Sequence, residues 1–308
     1  MIQRAVSLIL LATAVLLGIY VERVGSGVYA LAHALPSVQL KAPAIPRHVV
    51  PVPVGSHPTG SSPWFLVVGD SISAGISPED IGHARNVSYV AGVYSTLAHA
   101  GDAWMPDDLS CPTVTTRTYY SGCHLAFTNP LLGGEPQSTV ANRDIGQHRS
   151  TLKFILVELG SNDLFALQHD SPGTMEKQLL AVTERLGTIV HQLMSKAPGV
   201  PLFIANYYDP YAAESPSYVE EVTYLNGAVA ELAASTGATV VNFAGAMGTD
   251  RPITKSVLCA RIACASQDIH PTVEGERLLA SAVISSLKSA GVVSAHVGNV
   301  LPVGKWKD

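Results

Sequence analysis

The sequence predicts a three-layer α/β/α fold around a mainly parallel central sheet, on three observations. Two compact apolar runs, Trp64-Phe65-Leu66-Val67-Val68 and Phe154-Ile155-Leu156-Val157-Glu158-Leu159, read as strands buried on both faces. Stretches with apolar residues at helical spacing alternate with these and with further short apolar runs. Each of the two runs also ends in a string of polar turn-formers, the place where open parallel sheets build their sites.

From the amino terminus, Arg4 precedes 17 uncharged residues, Ala5 to Val21, dominated by Leu, Val, Ile and Ala. A basic start and an apolar core mark an export signal, and this length is at the short edge of what spans a bilayer. Residues 1–34 therefore read as a signal peptide cut after Ala30 or Ala34. The alternative is an uncleaved anchor, because Glu22 and Arg23 set both cleavage sites far from the apolar core. Either way the remainder is expected to be secreted or held outside the cytoplasm. Residues 35–62, with Pro36, Pro43, Pro46, Pro51, Pro53 and Pro58 and few aromatics, read as an extended spacer. Residues 63–292 suffice for one well-buried domain, and residues 293–308 read as a tail without periodicity.

Within that domain the first strand is followed by a helix over Ser88–His99. The stretch from Gly101 to Ser150, rich in Gly, Pro, Thr and Ser, then reads as irregular; at that length it is expected to border the active site. Next come the strand at Phe154–Leu159 and a long helix near Met175–Lys196, with Leu179, Leu180, Val182, Leu186, Ile189, Val190 and Leu193 on its stripe. A strand at Leu202–Ala205, a helix over Tyr218–Ser235, a strand at Thr239–Phe243 and a helix over Val273–Ser289 complete the alternation. Crossovers of this length make right-handed βαβ units.

Three short strings carry chemistry: Gly69-Asp70-Ser71-Ile72-Ser73, Gly160-Ser161-Asn162-Asp163 and Asp268-Ile269-His270-Pro271. Alone, each is an ordinary turn, and one His among 11 is more often a surface or core residue. Together, in this order and each at an element boundary, they supply a hydroxyl nucleophile, an amide donor for an oxyanion and an imidazole base. Those are the parts that acyl transfer needs.

In these strings the chain resembles the GDSL, or SGNH, esterases and lipases from about Trp64 to about Ala290. Asp108-Leu109-Ser110-Cys111-Pro112, Asn206-Tyr207-Tyr208-Asp209-Pro210 and the helix after His270, with Gly275, extend the likeness towards the secreted bacterial branch. The resemblance implies a flavodoxin-like sheet, Ser71 as nucleophile, His270 as base, and an oxyanion hole made of Asn162 with the backbone N–H groups of Ser71 and Thr113. Two departures stand out. Thr113 occupies a place that is normally Gly, and a β-branched residue disfavours positive φ, so the loop is expected to be remodelled or strained. The orienting Asp normally stands three residues before the His, where this chain has Gln267; Asp268 is the first choice for that role and a backbone carbonyl the alternative.

An exported chain with four cysteines is most simply held by two disulfides, and the local pairing of Cys111 with Cys123 and Cys259 with Cys264 is preferred among three connectivities. The second pair precedes the His string, where a clamped loop steadies His270. The spacing lacks Cys-x-x-Cys, and His-Glu-x-x-His is absent, so no metal is expected. Phosphate-binding Gly-rich loops and the Gly-x-Ser-x-Gly elbow are also absent, so no cofactor is expected. A net charge of −5 without a basic cluster argues against nucleic acid. Tyr119, Tyr120, Tyr207, Tyr208 and Tyr211 are candidates to line an acyl or sugar pocket. The expected function is hydrolysis of a small, lipid or acylated-carbohydrate ester by a monomer. Acyl transfer, carbohydrate O-deacetylation and a non-catalytic binding module are the alternatives.

Overall fold

The computed structural model describes residues 56–76, 87–123, 125, 129–167, 172–214, 216–264 and 268–300. The signal or anchor segment, most of the proline-rich spacer and the last eight residues of the tail lie outside the described residues. Among the described residues five strands form one all-parallel sheet: β1 (Trp64–Gly69), β2 (Met105–Asp108), β3 (Leu152–Glu158), β4 (Leu202–Ala205) and β5 (Thr239–Val241), in the order β2-β1-β3-β4-β5. This is the flavodoxin-like order, which reverses direction between β1 and β3, so the carboxyl ends of those neighbours open on the crevice.

The alternation of side chains along β1 explains the two cores. Trp64, Leu66 and Val68 pack with α2 (Gln137–His148), α4 (Pro172–Lys196) and α5 (Pro216–Thr236). Phe65 and Val67 pack on the other face with α1 (Tyr89–His99) and α8 (Val273–Ser289). Phe65 stacks on Phe154 with ring centroids 4.7 Å apart, and Phe203 meets Phe154 edge-on at 5.9 Å. Of the stripe expected on α4, Leu180 faces solvent, because it stands about 100° around the helix from buried Leu179. Among the described residues no helix is long and apolar enough to cross a membrane.

The stretch from Gly101 to Ser150 is more ordered than its composition suggests, since it holds β2 and α2. Met105-Pro106-Asp107-Asp108 has no apolar alternation, but at the sheet edge a Pro need not donate to a second neighbour. Helix α2 shows only Val140, Ala141 and Ile145 as buried aliphatics along 12 residues, too few for a helical signal. Short helices α3 (Ser161–Leu167), α6 (Phe243–Met247) and α7 (Lys255–Cys259) also went unsignalled, each being under three turns.

The cysteines pair locally. Cys111 lies beside Cys123 with Cα atoms 5.9 Å apart, and Cys259 beside Cys264 at 5.0 Å, both within the disulfide range. Mass spectrometry of the non-reduced protein is expected to give these two linked peptides and no free thiol. Loops this short predict roughly 2–3 kcal/mol of stabilisation for each bond from chain entropy. Crossed pairing in the native protein would overturn the assignment.

Candidate active site

At the end of β1 the chain turns sharply. A Cβ on Gly69 would overlap the Ser73 hydroxyl, so the string tolerates no side chain there. Asp70 Oδ1 accepts from the Ile72 N–H at 2.9 Å, and Ala74 N donates to Asp70 O at 3.1 Å, closing a single turn. Asp70 is buried and Ser71 half-buried, so the turn hides the acid and presents the hydroxyl.

The His string reaches the same place from the segment just ahead of α8. Ile262 and Pro271 form an antiparallel bridge, and Ala263 N donates to His270 O at 3.0 Å, so the loop after the Cys259–Cys264 pair braces the imidazole segment. The Tyr208 hydroxyl adds a bond to Ile269 O at 2.9 Å. Asp268 Oδ1 lies 2.5 Å from His270 Nδ1 and accepts from His270 N at 2.8 Å. His270 Nε2 stands 2.9 Å from Ser71 Oγ. A carboxylate only accepts, so this network assigns the proton to Nδ1 and leaves Nε2 as acceptor for the serine. Gln267 lies outside the described residues; the carboxylate that meets His270 Nδ1 is that of Asp268.

The Gly160-Ser161-Asn162-Asp163 string follows β3. Gly160 has φ 128°, and a Cβ there would come 2.7 Å from the Tyr207 hydroxyl. Asn162 Nδ2 donates to Asp70 Oδ2 and to Val114 O, both at 3.0 Å, and Ser161 Oγ also donates to Asp70 Oδ2. Asp163 accepts from Thr116 N at 2.7 Å and Thr116 Oγ1 at 2.8 Å, and Arg185 donates to both residues. Asn129 donates to the carbonyls of Asp108 and Ser110 at 3.0 and 2.8 Å. The loop containing Thr113 is therefore pinned at each end. Asp70, Asn129, Asp163 and Arg185 carry this scaffold; Asp70 and Asp163 lie in the motif strings, whereas Asn129 and Arg185 lie outside them and had no signal in the sequence.

Thr113 itself has φ 66°, the one positive-φ residue other than Gly among the described residues. The loop thus keeps a glycine-like conformation and holds the strain in Thr. Such strain costs on the order of 1–3 kcal/mol, whereas Gly costs up to about 1 kcal/mol in unfolded-state entropy. The exposed Thr113 side chain buries little. Thr113→Gly should therefore raise stability by roughly 1 kcal/mol, a midpoint shift of about 2–4 °C by calorimetry, with kcat within a few-fold. A lowered midpoint would count against strain at this residue.

Two carboxyls meet beneath the site. Burial, then the nearby Asp70 charge, holds Glu158 well above the usual carboxylate range. Burial also raises Asp70, opposed by the bonds from Ser161 and Ile72. More donors surround Asp70, so negative charge is better stabilised there than on Glu158, which accepts from Ser73 Oγ at 2.9 Å.

Ser71, Ile72, Asn162, Leu164, Phe165, Tyr207, Tyr208, Phe243 and Ile269 line a narrow, mostly apolar cavity of about 30 Å³. A groove of about 560 Å³ shares Asn206 and Tyr207 with it and is lined by Asp209, Thr223, Asn226, Asn242, Thr249 and Asp250. Of the five tyrosines expected near the site, Tyr207 and Tyr208 line the cavity. Tyr119 is instead a buried core residue, and exposed Tyr120 bonds to Gln192 Oε1 at 3.1 Å; loop position alone does not set direction. Tyr211 packs against the core shared by α2, α4 and α5.

Among solved structures, the acetylxylan esterase Axe2 of Geobacillus stearothermophilus is similar at 18% identity and TM-score 0.51, covering 74% of this chain and 95% of its own. LAE5, an alpha/beta hydrolase enzyme from the metagenome of Lake Arreo, Spain, is similar at 16% identity and TM-score 0.50, covering 77% of this chain and 99% of its own. At such identity the likeness speaks to the fold, an α/β/α sandwich. A search of the curated proteins finds no match. The family model of the GDSL-like lipase/acylhydrolases matches residues 67–278, a span holding all three motifs and well over half of the sequence. The chain belongs to the GDSL-like lipase/acylhydrolase family and is a carboxylic ester hydrolase.

Proposed function

We propose that this protein is an exported serine esterase that removes short acyl groups, acetyl above all, from hydroxyl-rich alcohols such as carbohydrates. The observation that carries the reading is the chain of contacts from Asp268 through His270 to the Ser71 hydroxyl. In this mechanism Nε2 takes the Ser71 proton as Oγ attacks the ester carbonyl, and the Asp268 carboxylate stabilises the imidazolium. The tetrahedral oxyanion accepts from Asn162 Nδ2 and from the backbone N–H groups of Ser71 and Thr113. The imidazolium gives its proton to the leaving alkoxide; water then repeats the sequence on the acyl-enzyme and releases the acid.

The narrow, mostly apolar cavity beside Ser71 favours a short acyl group over a fatty chain. The groove beside it sets Asp209, Asn226, Asn242 and Asp250 among Val222, Ala230, Val240 and Ala244, which suits an alcohol that presents both hydroxyls and apolar ring faces. Export is supported by the basic, apolar amino terminus and by four cysteines in two local pairs. The amino-terminal segment and the spacer tether the hydrolase domain or are removed with secretion.

A p-nitrophenyl ester series, run beside acetylated xylooligosaccharides and fluorophosphonate labelling, tests this. The acetate is expected to exceed the octanoate in kcat/KM by at least about tenfold, since extra methylenes have no room. Equal or faster octanoate hydrolysis would sink the short-acyl reading. Absence of both labelling and turnover would point to a non-catalytic binding module.

A further inference from the structure

Away from the esterase cavity, three ligand-type side chains converge at the edge of the sheet. His57 comes from the segment before β1, Asp107 from edge strand β2, and Asp144 from α2. His57 Nε2 lies 3.1 Å from Leu131 O, which can only accept, so a neutral ring carries its proton on Nε2 and turns the Nδ1 lone pair inwards. Nδ1 then stands 2.8 Å from Asp144 Oδ2 and 3.4 Å from Asp107 Oδ1, three acceptors face to face.

The two carboxylates are almost fully shielded, with side-chain exposures of 0% for Asp107 and 3% for Asp144. Even so, His57 Nδ1, both Asp107 oxygens and Asp144 Oδ2 have no aligned hydrogen-bond partner. A proton on Nδ1 reaches Asp144 at best, because 3.4 Å to Asp107 exceeds a charge-assisted hydrogen bond. A single ion reaches all three. Ligand atoms at zinc–nitrogen and zinc–oxygen bond lengths lie roughly 3.0–3.4 Å from one another around the metal; Nδ1 is 3.4 Å from Asp107 Oδ1 and 2.8 Å from Asp144 Oδ2, so only the second pair must widen by a few tenths of an ångström to admit the ion.

The surroundings fit as well. The Leu131 carbonyl fixes the ring through its other nitrogen, as is usual for ligating histidines. Arg143 Nε donates to Asp144 Oδ1 at 3.2 Å, which leaves Oδ2 for the ion. Two carboxylates balance a divalent charge, and the imidazole favours zinc over calcium or magnesium. His57 is 35% exposed along its side chain, giving an entry path and space for water to complete the shell.

We propose that His57 Nδ1, Asp107 and Asp144 Oδ2 form a Zn²⁺ site that staples the segment ahead of β1 to the sheet edge and α2. The site is structural and separate from ester hydrolysis.

Calorimetric titration of the EDTA-treated, full-length protein with ZnCl₂ tests it, with CaCl₂ and MgCl₂ as controls. One Zn²⁺ is expected to bind per chain and raise the thermal midpoint, with no comparable effect of the controls. His57→Ala and Asp107→Asn should each weaken Kd by at least about tenfold, the lower end of what even supporting residues contribute, and leave p-nitrophenyl acetate turnover unchanged. Zinc titrations of wild type and His57→Ala that superimpose would overturn the proposal, as would the absence of stoichiometric zinc binding. His57→Ala decides the matter even if the buried Asp107→Asn change impairs folding, because His57 is part-exposed on the leading segment.

Discussion

Ser71→Ala is expected to lower kcat for p-nitrophenyl acetate by about 10⁴ to 10⁶ and to abolish fluorophosphonate labelling, with the circular dichroism spectrum unchanged. The magnitude follows from losing the covalent route while binding and oxyanion stabilisation persist; removal of a serine nucleophile elsewhere costs about this much. Structure should be spared because Oγ contacts only His270 Nε2, at 2.9 Å, whereas the turn is held by Asp70 Oδ1 and backbone bonds. Turnover within tenfold of wild type would remove Ser71 as the nucleophile. His270 would then be a base without its substrate.

Asn162→Ala should cost on the order of 10² to 10³ in kcat, the loss usual for one oxyanion donor, with little change in KM. Both Nδ2 hydrogens are engaged in the free protein, one on Asp70 Oδ2 and one on Val114 O. Donation to the oxyanion therefore exchanges or shares the bond to Val114, a neutral carbonyl, while the bond to Asp70 holds the amide in place. The bond to Val114 O also ties Asn162 to the Thr113 loop, so a second cause of activity loss must be separated. Detachment of the loop would raise KM and lower the thermal midpoint together. A large fall in kcat alone assigns the effect to the donor; wild-type kcat would exclude Asn162 from the hole.

Much of the site was legible because its chemistry sits in contiguous strings. Gly69-Asp70-Ser71 and Gly160-Ser161-Asn162 each follow a strand buried on both faces, and uninterrupted apolar runs are the strongest pattern such a fold writes. Helix α8 matches Val273–Ser289 as expected, and Thr272 caps it by accepting from Gly275 N at 3.2 Å. Less was legible where tertiary position replaces pattern. Asp107 and Asp108 look like loop residues, yet an edge strand needs only one paired neighbour and can hold both. The cap of α1 is shared in the same way: Tyr89 N donates at 2.8 Å to Glu276, an α8 residue buried among apolar neighbours.

The sequence by itself determined the α/β alternation, the three motif strings and their order, because these depend on residues adjacent in the chain. It also marked Thr113 as an exception to its family's glycine. Only the tertiary structure decided that Thr113 adopts positive φ, that Asp70 receives Ser161 and Asn162, and that Tyr208 rather than Tyr119 faces the cavity. It alone joined His57, Asp107 and Asp144, which come from three separate elements. The physical reason is common to all of these: backbone strain, burial and the meeting of distant polar atoms arise from packing of the whole sheet and its helices, and no local window of sequence contains them.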